Sequence, residues 1–448
     1  MRVLDSVLEN AISGLKEGAL EIDCAEIILI QGTLKNPRIY RGPGIIRQKS
    51  DRQLWVTMFV ENMTGASLST EGAAGEIIPR NQLYRLTAKD ITGRYWKSRS
   101  VYLVAKPGSS LVLSGRLYEL HHLSDRFLSG QLELIIFDDF PIPWNRESKI
   151  RESTISGARA MRGGAQGVKF SCPDFSVVVT KAESEVSIEA NPRHGNQRLP
   201  YRIDNRLIET LQFIVARPIA WSVRLKYRRN FLHVTLRTPA PAGTGVHLHP
   251  PIRLLQIPMR GDIWRLFRRF LIHILNYPQR DMHPISKTVY GICEASRGTI
   301  DATGLALAVG IEAVVKDEFA TFGEPTPRTQ RALASLAIHL ESWRGPKKLK
   351  ARLSGLLKMI ESPSTKDRLF SLISKHAVTK QQIRDWQELR NRMAHGTRFG
   401  AADTARLLKA CDKATVLLYH LIFRAIGYRG IYTDYGTREW PNRHYPSK

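Results

Sequence analysis

The chain has 448 residues, long enough for two or three domains that each bury a core, and its 43% hydrophobic content is ordinary for a globular protein. Its 67 Lys and Arg against 41 Asp and Glu give a formal charge of +26, which favours a polyanionic partner, most simply nucleic acid. There is no apolar run of membrane-spanning length and no secretory signal; the four scattered cysteines (Cys24, Cys172, Cys293, Cys411) argue against a disulfide framework or a cysteine zinc site, and a reducing cytoplasm is expected.

Residues 1–20 read as an amphipathic lead-in. From there to residue 145 the signals are β. Ala25–Ile30, Gln53–Val60, Ser100–Val104, Ser110–Gly115 and Leu132–Phe137 are strand-like, with Gly42-Pro43-Gly44 and Pro107-Gly108 as punctuation between strands. Asp90–Trp96 looks like a hairpin tip that runs into an aromatic strand. Many short strands with turn signals predict a sandwich or barrel-like domain over 1–145. Residues 146–168 are polar and glycine-bearing and read as a linker or mobile loop.

A second β-leaning region is expected over 169–260. Phe175–Thr180 and Glu185–Ala190 form one hairpin, and a helix covers Asn205 to about Val215. Ser222–Tyr227 pairs with Phe231–Leu236. That second hairpin sets Val223 and Leu225 on one face and Arg224 and Lys226 on the other, a basic stripe that suits phosphate contact or a solvated face equally. Pro239–Pro258 is proline-rich and closes the region.

From Asp262 the hydrophobic period becomes helical and stays so. A connecting helix is expected in 261–282. Helices follow near 284–297, 302–321, 327–343, 347–361, 366–376, 380–395 and 402–426, with short polar connections as in an antiparallel bundle. Leu305, Ala308, Val309, Glu312, Ala313 and Lys316 share a helical spacing that turns Glu312 inward. The fold class is thus α+β multidomain, a β-rich region followed by an all-α bundle at 283–436 and a tail at 437–448.

The helix at 380–395 carries Arg390, Asn391 and His395. Arg-x4-His occurs four times (Arg116/His121, Arg228/His233, Arg268/His273, Arg390/His395), so spacing alone says little. Only the last has Asn after the Arg and Gly396 after the His, a helix stop. At about 100° per residue, Trp386, Leu389 and Met393 share the buried face. Arg390 then diverges from Asn391 by roughly 100° and from His395 by roughly 140°, so a compact site calls for a second copy or a distorted helix end. The residue types suit RNA cleavage by its own 2′-hydroxyl. Histidine moves protons near neutral pH, arginine neutralises a phosphorane, and no metal or other cofactor is required.

Residues 283–436 resemble a HEPN ribonuclease domain. Ala425-Ile426-Gly427-Tyr428-Arg429-Gly430-Ile431-Tyr432-Thr433-Asp434-Tyr435 resembles the end of that domain in ApeA-like anti-phage proteins, which also place a β-rich region ahead of it. The resemblance implies a metal-independent endoribonuclease of prokaryotic abortive-infection defence, acting as a homodimer on RNA, with tRNA among the candidates. It implies catalytic roles for Arg390, Asn391 and His395, a supporting role for Glu312, and a phage-derived trigger sensed by the β-rich region. Arg392 departs from the pattern, where an apolar residue is usual, and adds RNA affinity or faces solvent. Lys347, Lys348 and Lys350, with Arg224 and Lys226, are the candidate RNA contacts. The alternatives are a non-catalytic RNA- or partner-binding HEPN protein and a DNA-binding regulator using the basic hairpin. His121-His122 reads as a surface or turn pair and His247-Leu248-His249 as a loop without a third metal ligand. The aromatic tail (Tyr432, Tyr435, Trp440, Tyr445) suits base stacking or packing on the bundle.

Overall fold

The computed structural model describes residues 5–32, 36–50, 52–64, 79, 82–104, 112–125, 130–143, 146–148, 165–182, 184–194, 198–228, 231–238, 248–254, 259–279, 281–394 and 403–446. The chain divides into two compact units, Met1–Asp204 with Ile219–Ala242, and Asn205–Pro218 with Gly243–Lys448. The β-rich N-terminal half and the helical C-terminal half of an α+β protein are both present.

The first unit opens with α1 (Ser6–Glu17), capped by the Asp5 carboxylate on the Leu8 amide and stopped by Gly18 in the left-handed region. The strands follow as β1 (Glu21–Gln31), β2 (Ile39–Gln48), β3 (Leu54–Phe59), β4 (Asn62–Thr64), β5 (Tyr84–Asp90), β6 (Tyr95–Val104), β7 (Val112–Leu117), β8 (Glu119–Asp125), β9 (Leu132–Ile136), β10 (Arg146–Ser148), β11 (Ala165–Ser171), β12 (Phe175–Ala182) and β13 (Glu185–Pro192). After α2 (Ile203–Val215) come β14 (Val223–Arg228) and β15 (Phe231–Arg237). The order β6-β5-β1-β2-β3-β7 closes on itself, because the last four residues of β6 pair with β7. The result is an antiparallel six-stranded barrel, and closure removes its edges. From β6 the sheet also runs outward through β8, β15, β14, β9, β13, β12 and β11 to β10. Ile27, Leu29, Ile46, Val56, Leu86 and Trp96 belong to one core, to which α1 adds Leu8 and Leu15.

Three expectations change here. The break expected at 146–168 does not divide the sheet: β10 and β11 pair within it, and β13 joins β9 across it. Residues 149–164 lie outside the described residues, as does Pro107-Gly108. Gly42-Pro43-Gly44 is not a turn but the middle of β2. Pro43 has no amide to give, and β1 bulges opposite it, between Cys24 and Ile27. A Cβ on Gly42 would fall 1.8 Å from the Phe59 carbonyl oxygen, and one on Gly44 would fall 2.2 Å from that of Thr57. The bare backbone is what lets the strands approach this closely. Finally, His121 and His122 lie within β8. The His122 ring is 5.0 Å from that of Trp96, and His121 Nδ1 meets Thr235 Oγ1 at 3.2 Å.

The β5–β6 connection is the hairpin tip expected at Asp90–Trp96. One Asp90 oxygen accepts from the Thr92 and Arg94 amides and the Thr92 hydroxyl. The other accepts from the Trp96 indole at 2.9 Å.

The second unit takes in α3 (Arg260–Leu275), α4 (Pro284–Ser296), α5 (Ile300–Glu318), α6 (Pro327–Ser342), α7 (Lys347–Glu361), α8 (Thr365–Ile373), α9 (Lys380–Ala394) and α10 (Thr404–Ala425), then the hairpin β16 (Gly430–Thr433) and β17 (Asn442–Tyr445). Caps define the starts: Thr299, Thr326 and Ser364 accept from amides three residues on, and Pro284 and Pro327 open their helices. α3 is part of this bundle rather than a separate connection, with Phe267, Phe270 and Ile274 buried and Phe270 stacked on Phe213 at 4.3 Å. α10 buries Leu407 and Cys411 in its first half and is buried all round from Ala414 to Phe423. The aromatic tail packs on it: Tyr432 and Tyr445 enclose His420, and Tyr435 stacks on His249 at 4.5 Å and donates to the Pro250 carbonyl. Among the described residues, no helix is long and apolar enough to cross a membrane.

Candidate active site

α9 buries Ile383, Trp386 and Leu389, and the Trp386 indole donates to the Ala308 carbonyl of α5 at 3.2 Å. Met393 is half-buried, and a Cβ on Gly304 of α5 would meet its sulfur at 3.1 Å. Gly304 thus sets how closely α5 and α9 approach. α10 packs against both α5 and α9, and this three-helix contact fixes which way Arg390 and Asn391 face.

Arg390 emerges on the α5 flank. Its Nε donates to Glu312 Oε1 at 2.9 Å, both side chains being partly exposed. Asn391 is exposed beside it. His395 and Gly396 lie outside the described residues. The inward stripe expected on α5 is shifted: Leu305, Val309 and Lys316 are exposed, while Gly304, Leu307, Ala308, Ile311, Val314 and Val315 are buried. Glu312 therefore sits at the rim of the α5–α9 contact rather than inside it, at the position from which a carboxylate reaches Arg390.

The α10 flank of α9 is a shallow charged cleft lined by Asp385, Glu388, Arg392, Arg406, Lys409 and Lys413. Arg392 Nη2 meets Glu388 at 2.6 Å, Arg406 meets the same oxygen at 3.2 Å, and Lys413 pairs with Asp385 at 3.0 Å. Four cations against two carboxylates leave this cleft net positive. Arg406, Lys409 and Lys413 were not singled out from sequence. Their spacing of 3 and 4 on α10 is the signal that would have found them.

Lys347 and Lys348 open α7 exposed, while Lys350 donates to the Glu341 carbonyl. The β14–β15 stripe is differently occupied. Arg224 and Lys226 both bind Asp204 Oδ2, at 2.7 and 2.9 Å, and the Arg224 guanidinium lies over Trp221. Those two cations are matched to a nearly buried carboxylate, whose pKa they hold below the ordinary Asp value despite burial. His420, by contrast, is held down at about 3 by burial alone, with Nδ1 facing the Gln382 amide at 3.1 Å.

No protein family, curated protein or solved structure matches the chain.

Proposed function

We propose that the second unit is a HEPN-type endoribonuclease that cleaves RNA without a metal, with Arg390, Asn391 and His395 as its working residues. The observation that carries this reading is the Arg390–Glu312 pair. Glu312 takes Arg390 Nε, and among the described residues nothing else pairs with the guanidinium, whose Nη edge can fork onto two phosphate oxygens. In the reaction, His395 serves proton transfer as the 2′-oxygen attacks phosphorus and the bond to the 5′-oxygen breaks. The products are a 2′,3′-cyclic phosphate and a 5′-hydroxyl. Arg390 neutralises charge on the phosphorane, and Asn391 hydrogen-bonds phosphate or imidazole. Arg392 with the α10 cations, and Lys347 with Lys348, supply attraction for the RNA backbone.

The five-residue spacing of Arg390 and His395 corresponds to roughly 140° on an ideal helix, so the active unit is read as a homodimer that juxtaposes two α9 helices. Exposed Leu305 and Val309, beside Glu312 on α5, provide apolar surface for that contact. The resemblance to ApeA-like proteins adds the role, abortive-infection defence in the cytoplasm, with the β-rich unit answering a phage-derived trigger. The test compares wild type with His395→Ala for cleavage and for binding of single-stranded RNA. Loss of cleavage with binding retained supports the reading; equal cleavage in both removes it. Equal RNA binding with no cleavage by either protein turns it into a binding module.

A further inference from the structure

Three side chains far from Arg390 in sequence come together elsewhere in the helical unit. They are His273 in the last turn of α3, His283 at the N-cap of α4 and Glu318, the last residue of α5. One ligand-type atom from each lies within 4.8 Å of the other two. The His273 and His283 rings are 5.2 Å apart, and His273 Nε2 is 3.3 Å from Glu318 Oε2. That last distance is what two donors show when each is about 2.05 Å from a tetrahedral zinc. We propose that this cluster binds a divalent transition metal of the zinc class, with two imidazoles and one carboxylate as protein ligands and water in the fourth position.

The surroundings hold the least exposed ligand in place. Arg206 and Glu209 of α2 form a buried pair at 2.8 Å. The bonds they have left go to the loop that carries His283. Arg206 Nη2 donates to the Gln279 and Asp281 carbonyls, and Glu209 Oε2 accepts from the His283 amide, all at 3.2 Å. A buried ion pair used in this way fixes the backbone of one histidine, the kind of outer support that orients metal ligands. Two imidazoles with one carboxylate suit zinc, and equally cobalt as a probe, better than calcium or magnesium.

One contact must change on binding. His283 Nδ1 now accepts from the Ile285 amide at 3.2 Å. A metal on Nδ1 displaces that amide; a metal on Nε2 moves the imidazole proton onto Nδ1, which then cannot accept. Loading the site therefore weakens this cap and increases hydrogen exchange at Ile285. The sequence showed no such site because the three residues share no motif and the fold alone brings them together.

The test uses the full chain purified with zinc and dialysed free of excess, with metal content read by mass spectrometry. Wild type is expected to retain about one equivalent. His273→Gln, Glu318→Gln and His283→Asn, the last keeping a side chain that caps a helix well, are expected to weaken retention by at least ~100-fold. Wild type with no more metal than the variants overturns the proposal. So does retention undiminished in His283→Asn. Should a variant fail to fold, cobalt added to the metal-free wild type decides: an intense visible d–d band supports the site, and the pale spectrum of hydrated cobalt overturns it. RNA cleavage does not enter this test, so its outcome is separable from the nuclease reading.

Discussion

Arg390 of α9 and Glu312 of α5 are 78 residues apart in the chain and meet at 2.9 Å between Nε and Oε1. The pair lies at the rim of the bundle, where an ion pair contributes on the order of 0–1 kcal/mol to stability. Its consequence is orientation. Without Glu312, the guanidinium regains its rotamers and its Nη edge is no longer aimed.

Glu312→Ala is therefore expected to lower RNA cleavage by roughly 10-fold, about 1.4 kcal/mol of transition-state stabilisation, with thermal stability nearly unchanged. Arg390→Ala should lower it by ~100-fold or more, because the phosphorane loses its cation. Initial rates on one RNA, alongside thermal melts of both variants, check this. A loss of cleavage matched by a loss of folded protein would make the pair structural instead.

A site shared between two chains has a separate signature. Arg390→Ala and His395→Ala should each be inactive alone. When the two are mixed and allowed to exchange subunits, half the dimers are mixed, and one of the two sites in each is intact. Activity should return to about a quarter of wild type. No recovery after demonstrated exchange would place both groups on one chain.

The helical half was legible because its signals are local. Apolar periodicity and capping residues such as Thr299, Thr326 and Ser364 set helix limits close to those observed. The β half was legible as strands but not as a barrel. Closure depends on β6 pairing with β5 over 95–101 while Trp96 and Lys97 also meet β8 and Val101–Val104 meet β7, a long-range choice that alternation does not encode. Gly42-Pro43-Gly44 misled for the same reason, since turn residues and a bulged, closely approached strand use the same chemistry. The Arg224 and Lys226 stripe was visible, but its partner Asp204 lies about 20 residues away on another element. Likewise Arg390 was visible, and the rim position of Glu312 depended on which α5 face met α9.

The barrel makes its own prediction. Gly44→Ala places a methyl group against the Thr57 carbonyl and the Ile27 side chain, which would lie 2.8 Å away. Neither backbone can give without breaking the ladder, so a loss of about 1–3 kcal/mol is expected. Denaturant unfolding of the full chain measures it. Gly93→Ala is the comparison: there the space is open but the backbone is left-handed, with φ at +88°, and a cost of about 1–2 kcal/mol is expected from strain alone.

The buried histidine of α10 makes stability depend on pH. His420 is held neutral by burial and faces Gln382 and the rings of Phe423, Tyr432 and Tyr445. Its pKa in the fold is about 3, against an ordinary 6.5. A depressed value means that the unfolded chain binds the extra proton first. The contribution is therefore complete above about pH 6.5 and is lost progressively as the pH falls toward 3. Between pH 7 and pH 5 this one group should remove about 2 kcal/mol. His420→Gln should reduce that decline by the same amount, and an unchanged slope in urea melts at the two pH values would show that His420 is not its source.

The nuclease reading stands most directly on one experiment. Purified wild-type protein is given single-stranded RNA in excess EDTA, and the new ends are identified by mass spectrometry. The account predicts 2′,3′-cyclic phosphate and 5′-hydroxyl ends, with none from Arg390→Ala or His395→Ala. Cleavage that EDTA abolishes while circular dichroism shows the protein still folded, or that continues undiminished in both variants, contradicts it.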